Sequence, residues 1–165
     1  MDETLIRKRP ADAAAHNLRD YDAERRAFDW SAEIARHAGG PSGDRVNIAR
    51  EALGRHVAAG RGARTALRWI ARDRSVREVS YEDLDRASSR FANVLAGLGV
   101  APGERVFSLL GRVPALFATA LGTWKAGAVF SPLFSAFGPE PVRARMTIAE
   151  ASVIVTTERL FRRKV

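Results

Sequence analysis

The segment Arg105–Pro132, RVFSLLGRVPALFATALGTWKAGAVFSP, changes its hydrophobic period twice, and this restricts the fold more than any other feature of the chain. It opens with Val106-Phe107-Ser108-Leu109-Leu110, an apolar run too short for a helix and bounded by Pro102-Gly103 and Gly111. Ala115, Leu116, Thr119, Ala120, Thr123 and Trp124 then recur at helical spacing. Pro114 suits a first-turn position, where no intrahelical N–H bond is lost. After Lys125-Ala126-Gly127 a second apolar run, Ala128-Val129-Phe130, is stopped by Pro132. Strand, helix and strand with short links predict a βαβ unit with parallel strands and a right-handed crossover. Both strands read as apolar on both faces, as expected where helices cover a sheet from each side.

The remaining segments prepare or extend this unit. Residues 1–17 are polar and poorly patterned, and a disordered tail is expected there. Residues 18–62 read as a helical lead-in. A helix is expected from Asp20, with Tyr21, Arg25 and Phe28 on one stripe, and a second capped by Ser31 and stopped at Gly39-Gly40-Pro41. Asn47 would cap a third, with Ile48, Ala52, Leu53, His56 and Val57 on one face and Gly60 and Gly62 ending it. Thr65–Ile70 and Val76–Tyr81 flank a polar turn, Arg72-Asp73-Arg74-Ser75, and predict a half-buried hairpin. Ser80 followed by Asp83 has the pattern of a capping box, and Leu84, Ala87, Phe91, Val94, Leu95 and Leu98 form an apolar helical stripe. Beyond the βαβ unit, Gly138-Pro139-Glu140-Pro141 starts a helix with Val142, Met146 and Ala149 inward, and Ser152–Thr156 is a third parallel strand. The expectation is therefore an α/β fold: a mixed sheet with a parallel βαβαβ core, a hairpin and a helical lead-in, left incomplete after its third strand.

Composition narrows the function classes. A chain of 165 residues with 46% hydrophobic content can bury a core. It has no cysteine, so thiolate metal sites and disulfides are excluded; with no apolar run long enough to span a bilayer and a charged N-terminus, neither a signal peptide nor a membrane anchor is expected. These features fit a cytoplasmic protein with no membrane partner. The charge is +8, from 27 Lys and Arg against 19 Asp and Glu, but the arginines are dispersed and accompanied by acids. Only Arg159, Arg162, Arg163 and Lys164 form a cluster of one sign. A basic phosphate- or nucleic-acid-binding module is one reading of such a charge, though no stripe of alternating aromatic and basic residues supports it. No Walker-type phosphate loop, GxGxxG or GxSxG occurs, and His16, His37 and His56 are too scattered for a metal site. Glu82, Asp83 and Asp85 suit the N-terminal dipole of their helix better than acid–base catalysis.

Val79-Ser80-Tyr81-Glu82-Asp83-Leu84 with its helix resembles the first core motif of the adenylate-forming enzymes, the superfamily that contains the acyl-CoA synthetases. Leu121–Leu133, LGTWKAGAVFSPL, resembles the second. The lead-in, with Tyr21, Phe28, Trp30, Asn47-Ile48-Ala49, Glu51-Ala52 and Arg55-His56, resembles that of the acetate–CoA ligases, as do Phe134–Pro141 and Phe161–Val165. The resemblance covers residues 18–165, with 63–165 as the first part of a truncated AMP-binding domain.

It implies a two-step ligase that joins acetate to CoA through an acyl-adenylate, with ATP, Mg2+ and CoA as cofactors of the full-length enzyme. A ligase for propionate or another short acid remains an alternative. The family's phosphate-binding loop, acyl pocket and adenylation lysine lie downstream of the matched motifs, so no catalytic residue is assigned, and the isolated chain is expected to be inactive and to bind none of these cofactors tightly. Lys125 is expected to be structural. The resemblance places the CoA nucleotide near Ser135, Ala136, Phe137 and Gly138, with Arg159, Arg162 and Arg163. A small-residue loop permits close approach, and arginine forks suit phosphate. The alternative for these residues is a turn into a helix and a solvated basic surface.

Overall fold

The computed structural model describes residue 18, residues 20–38 and residues 46–165. The expected tail and the Gly39-Gly40-Pro41 stop lie outside the described residues. Residues up to Asp44 and those from Arg45 onward form two separate compact units.

In the first unit, helix α1 (Tyr21–Ala27) is capped by Asp20, whose side chain accepts from the Ala23 amide. Helix α2 (Trp30–Ala38) begins one residue before the expected cap, Ser31. Asp29 takes that role, accepting from the Ala32 amide at 2.7 Å, because a carboxylate opposite the dipole competes well with a hydroxyl.

The second unit opens on two π-type helical segments, Arg50–Gly54 and Val57–Arg61. Asn47 precedes them as expected, its Oδ1 accepting from the Ala49 and Arg50 amides. Gly60 carries φ +73, a left-handed turn that interrupts the second segment. The expected common face is only partly buried: Leu53 is enclosed while Ile48 and Ala52 are exposed. His56 is half-buried, its Nδ1 beside the Arg61 guanidinium and its ring against Tyr81, as suits a satisfied histidine.

Strands β1 (Thr65–Ile70) and β2 (Val76–Ser80) pair antiparallel as a two-stranded sheet of their own. Arg74 has φ 66, and Asp73 accepts from both the amide and the hydroxyl of Ser75, which closes the turn. Those bonds, the hydroxyl's first, hold the Asp73 carboxyl below its ordinary range. Helix α3 (Tyr81–Gly97) starts at Ser80, whose Oγ accepts from the Asp83 amide at 3.1 Å. Its buried line is Leu84, Ser88 and Leu95, with Phe91 half-buried. The expected Val94 and Leu98 are 54% and 66% exposed, so the packed stripe is rotated toward Ser88.

Parallel strands β3 (Arg105–Leu109), β4 (Val129–Pro132) and β5 (Val153–Thr156) form the second sheet, in the order β4-β3-β5. Helices α4 (Pro114–Lys125), α5 (Pro139–Ile148) and α6 (Glu158–Lys164) complete the chain. The alternation of β3 separates two cores. Val106 packs with Leu95 of α3 and Ala128, while Phe107 and Leu109 pack with Leu133, Val142, Met146 and Leu160. Helices α3 and α4 thus cover one face, and α5 and α6 the other. Only β3 is enclosed along its length. At the edge, Val129 of β4 is 49% exposed, which corrects the expectation that both strands of the βαβ unit are covered on both faces.

Close approach of α3 and α4 depends on Gly122, the one α4 position with no side chain to interpose. A Cβ built there would lie 2.5 Å from the Ser88 carbonyl oxygen and 2.8 Å from Phe91 Cδ1. Three residues on, Lys125 Nζ donates to Asp85 Oδ1 (2.7 Å), the Asp85 carbonyl (2.9 Å) and Ser89 Oγ (2.9 Å). All three ammonium donors are used between helices, so Lys125 is structural, as expected. Asp85, expected to serve the dipole of its own helix, is committed to this pair instead.

Candidate nucleotide crevice

Three loops leave the carboxyl ends of the parallel strands. The loop after β3 turns to α4 on one face, while those after β4 and β5 turn to α5 and α6 on the other. Loops diverging to opposite faces define a candidate crevice at the carboxyl end of the sheet, the usual ligand position in open α/β folds. The central strand ends inside it, tied to β5 by the Thr156 hydroxyl, which donates to the Leu109 carbonyl at 2.8 Å.

The loop expected from sequence lies at one side of this crevice. Phe134–Phe137 is a tight turn, with the Phe137 amide donating to the Phe134 carbonyl at 2.9 Å. The two rings meet edge to face at 5.8 Å, and Phe137 also packs on the Phe107–Leu109 core. The Arg145 guanidinium lies 4.3 Å above the Phe137 ring. Phe137 is thereby an anchor, and Ala136 is exposed at the turn. Gly138 precedes α5, and a Cβ there would meet nothing within 4 Å. Open space surrounds the backbone at that point.

Arg159, Arg162 and Arg163 lie exposed on α6, whose Thr157 cap accepts from the Leu160 amide. Arg162 pairs with Glu158 one turn earlier. What joins this helix to the loop is Lys164, a residue outside the expected set: its Nζ donates to the Ser135 carbonyl at 2.8 Å. A hollow of about 440 Å³ between α5 and α6 is lined by Arg143, Lys164, Glu140, Glu150 and Met146, and by none of the three arginines. The structure therefore brings Ser135 and the end of α6 together while leaving the arginines on the outer surface.

Sequence reasoning missed two further residues here. Trp69 of β1 donates its indole N–H to the Arg112 carbonyl at 2.8 Å, joining the hairpin to the loop after β3. Arg112 itself is exposed. Neither segment carries a signal of this bond, which joins positions 43 residues apart. Among the described residues, no group of three His, Asp or Glu side chains is placed to hold a metal ion, and no helix is long and apolar enough to cross a membrane.

Comparison with known proteins places this architecture. The family model for AMP-binding enzymes matches residues 54–165. The acetyl-coenzyme A synthetase of Bacillus subtilis is 36% identical over 155 residues, which are 93% of this chain and 27% of that protein. That of Deinococcus radiodurans is 32% identical over 90% of this chain and 22% of its own length. The chain thus spans about a quarter of the relatives it matches. A crystal structure of Brucella canis acyl-CoA synthetase superposes with a TM-score of 0.74 at 38% identity, covering 84% of this chain and 25% of that one. A benzoate CoA ligase from Burkholderia xenovorans shares the fold, with a TM-score of 0.62 at 24% identity over 72% of this chain and 23% of its own. A family match over most of its length, together with the two-faced parallel core, shows that the chain belongs to the AMP-binding enzymes, as an N-terminal portion of an adenylate-forming enzyme.

Proposed function

We propose that this chain is part of an AMP-forming acetate–CoA ligase, which converts ATP, acetate and CoA into acetyl-CoA, AMP and pyrophosphate. The observation that carries the reading is 36% identity to an acetyl-coenzyme A synthetase over 93% of the chain. In this reading residues 18–62 are the lead-in, and residues 63–165 are the first part of the AMP-binding domain. ATP and Mg2+ are handled by parts of the enzyme that this chain does not contain, so alone it carries no adenylation activity.

The role assigned to these residues is to receive the CoA nucleotide. Ser135, Ala136, Phe137 and Gly138 would offer a backbone open to close approach, and Arg159, Arg162 and Arg163 would offer phosphate contacts. Two features support this: the room around Gly138 and the Lys164–Ser135 bond that keeps α6 beside the loop.

The test is a graft in which this chain replaces the matching segment of the Bacillus subtilis enzyme. The graft should release AMP and pyrophosphate in the presence of acetate and CoA, and a series of short acids reads acyl preference directly. Acetate-dependent ATP–pyrophosphate exchange by the isolated chain should stay at background. A folded graft that adenylates no short acid, or exchange by the chain alone, would overturn the reading. Replacing Arg162 and Arg163 with alanine in the graft should raise the KM for CoA and leave that for ATP unchanged; an unmoved CoA KM removes the arginines from the site.

A further inference from the structure

Lys164 is placed unlike the arginines beside it. Arg159, Arg162 and Arg163 are exposed, and none of them lines the hollow between α5 and α6. Lys164 is half-buried in the wall of that hollow. Taking an ammonium out of water is costly unless it gains partners. Its Nζ donates to the Ser135 carbonyl at 2.8 Å, and among the described residues no carboxylate is paired with it. That bond uses one of three N–H donors.

The acids of the same wall are already committed. Glu140 pairs with Arg143 at 2.8 Å, and Glu150 pairs with Arg105 of β3 at 3.2 Å. Both carboxylates are thus neutralised, and the Lys164 charge is left over. The floor is apolar, with Val142 buried and Met146 half-buried. At about 440 Å³ the hollow has the size of small-molecule sites, which combine apolar walls with a few fixed polar groups. It begins at Pro139, the residue after Gly138, and Lys164 belongs both to its wall and to the Ser135 contact. A nucleotide lying on the Ser135–Gly138 backbone would therefore have an uncompensated cation at its flank. The diphosphate of CoA is substituted at both ends and follows the length of the ligand. Its 3′-phosphate is terminal, close to a dianion, and branches from the ribose, so it alone can enter a hollow to the side.

We propose that Lys164 receives the 3′-phosphate of CoA in the hollow between α5 and α6, its ammonium shared between that phosphate and the Ser135 carbonyl. The proposal rests on the ligase reading above and adds to it a phosphate subsite that the three arginines do not line. Hydrogen bonds between an ammonium and a phosphate are charge-assisted and roughly twice as strong as neutral ones. Lys164 is thereby the residue that distinguishes CoA from dephospho-CoA.

CoA and dephospho-CoA differ by that phosphate alone, and the chain as it stands can be titrated with each. In a proton–nitrogen correlation spectrum CoA should shift the Ala136 and Gly138 amides saturably. Dephospho-CoA should bind roughly tenfold more weakly, the effect of one charge-assisted contact. Lys164→Gln should weaken CoA to the level of dephospho-CoA and leave dephospho-CoA unchanged, while Lys164→Arg should keep the preference. Arg77→Gln, which removes the same charge from the hairpin, should weaken neither ligand. Glu140→Gln takes a carboxylate from the wall with Lys164 untouched, and should tighten CoA several-fold. No saturable shift with CoA, equal affinity for the two ligands, an unmoved Glu140→Gln, or a Lys164→Gln loss shared by both ligands each overturns the proposal. The last result would mean that Lys164 only holds the loop. An active graft whose preference for CoA survives Lys164→Gln would sink this inference and leave the ligase reading standing; an inactive graft, with a Lys164-dependent preference in the chain, would do the reverse.

Discussion

Gly122→Ala is the most direct probe of how this unit is packed. In an isolated helix the change is favourable by about 1 kcal/mol, because alanine loses less backbone freedom than glycine. Here the added methyl would lie 2.5 Å from the Ser88 carbonyl oxygen and 2.8 Å and 3.0 Å from Phe91 Cδ1 and Cβ. The oxygen is backbone and cannot turn aside, so α4 must withdraw from α3 by something under about 1 Å to restore ordinary contact near 3.3 Å. Overpacking of this kind costs about 1–3 kcal/mol. The same withdrawal stretches the Lys125 bonds to Asp85 and Ser89 from 2.7–2.9 Å toward the limit of useful geometry, at about 1 kcal/mol more. After the propensity gain, the net loss is about 1–3 kcal/mol, or a fall in Tm of roughly 4–10 °C for a domain of this size. Gly97 supplies the control. It ends α3 with nothing within 4 Å of the point where a Cβ would stand, so Gly97→Ala should be neutral or stabilising by up to about 1 kcal/mol. Paired thermal and urea melts decide the matter. If Gly122→Ala melts no lower than Gly97→Ala, the close helix approach contributes nothing and the reasoning fails.

Other substitutions test separate parts of the same structure. Lys125→Met keeps the aliphatic stem but removes the bonds to Asp85 and Ser89; with the two side chains 18% and 31% exposed, a loss of about 1–2 kcal/mol is expected, and a double-mutant cycle with Asp85→Asn should recover most of it as coupling. Ser108 Oγ is buried in β3 without a hydrogen-bond partner, so Ser108→Ala should raise stability by about 1 kcal/mol in a urea melt, and a loss would show that the hydroxyl is satisfied. Glu78 is held below the ordinary carboxylate range by the Thr65 hydroxyl first and Arg68 second, so its folded pKa lies under its unfolded one. The stability it carries is complete above the unfolded value and is lost as pH falls through the folded one. Glu78→Gln should therefore flatten the acid limb of the hairpin's pH profile, followed by the β1 and β2 amides, and leave neutral-pH spectra intact; an unchanged acid limb would refute the assignment.

What could be read from the sequence depended on the range of the interaction. The Ser80–Asp83 cap, the change of period at Gly111 and the turn at Asp73 are local patterns, and each appears where the residues indicate. The α3 stripe was misplaced toward Val94 and Leu98 because apolarity at helical spacing does not say which flank meets a partner. Ser88 is buried because Gly122 admits its backbone, a fact held by the facing helix. A glycine among good helix formers was the available hint, since its cost in a helix interior usually reflects a close approach. Lys125–Asp85 and Trp69–Arg112 join residues far apart in sequence, and no pattern within either segment foretells its partner. Of the candidate site, the loop's position was legible from the proline and glycine that frame it. Lys164 was not, because its partner is a backbone carbonyl, which any residue could present.

The strand that finishes in the middle of the sheet is the earliest one made. Val106 pairs with Phe130 on one flank and, on the other, with Val153, which is made later. Each newly synthesised strand therefore finds a ready template and needs no later insertion between strands already joined. Among the described residues the two later strands each pair only with β3, so each leaves one backbone edge to which a further strand could add.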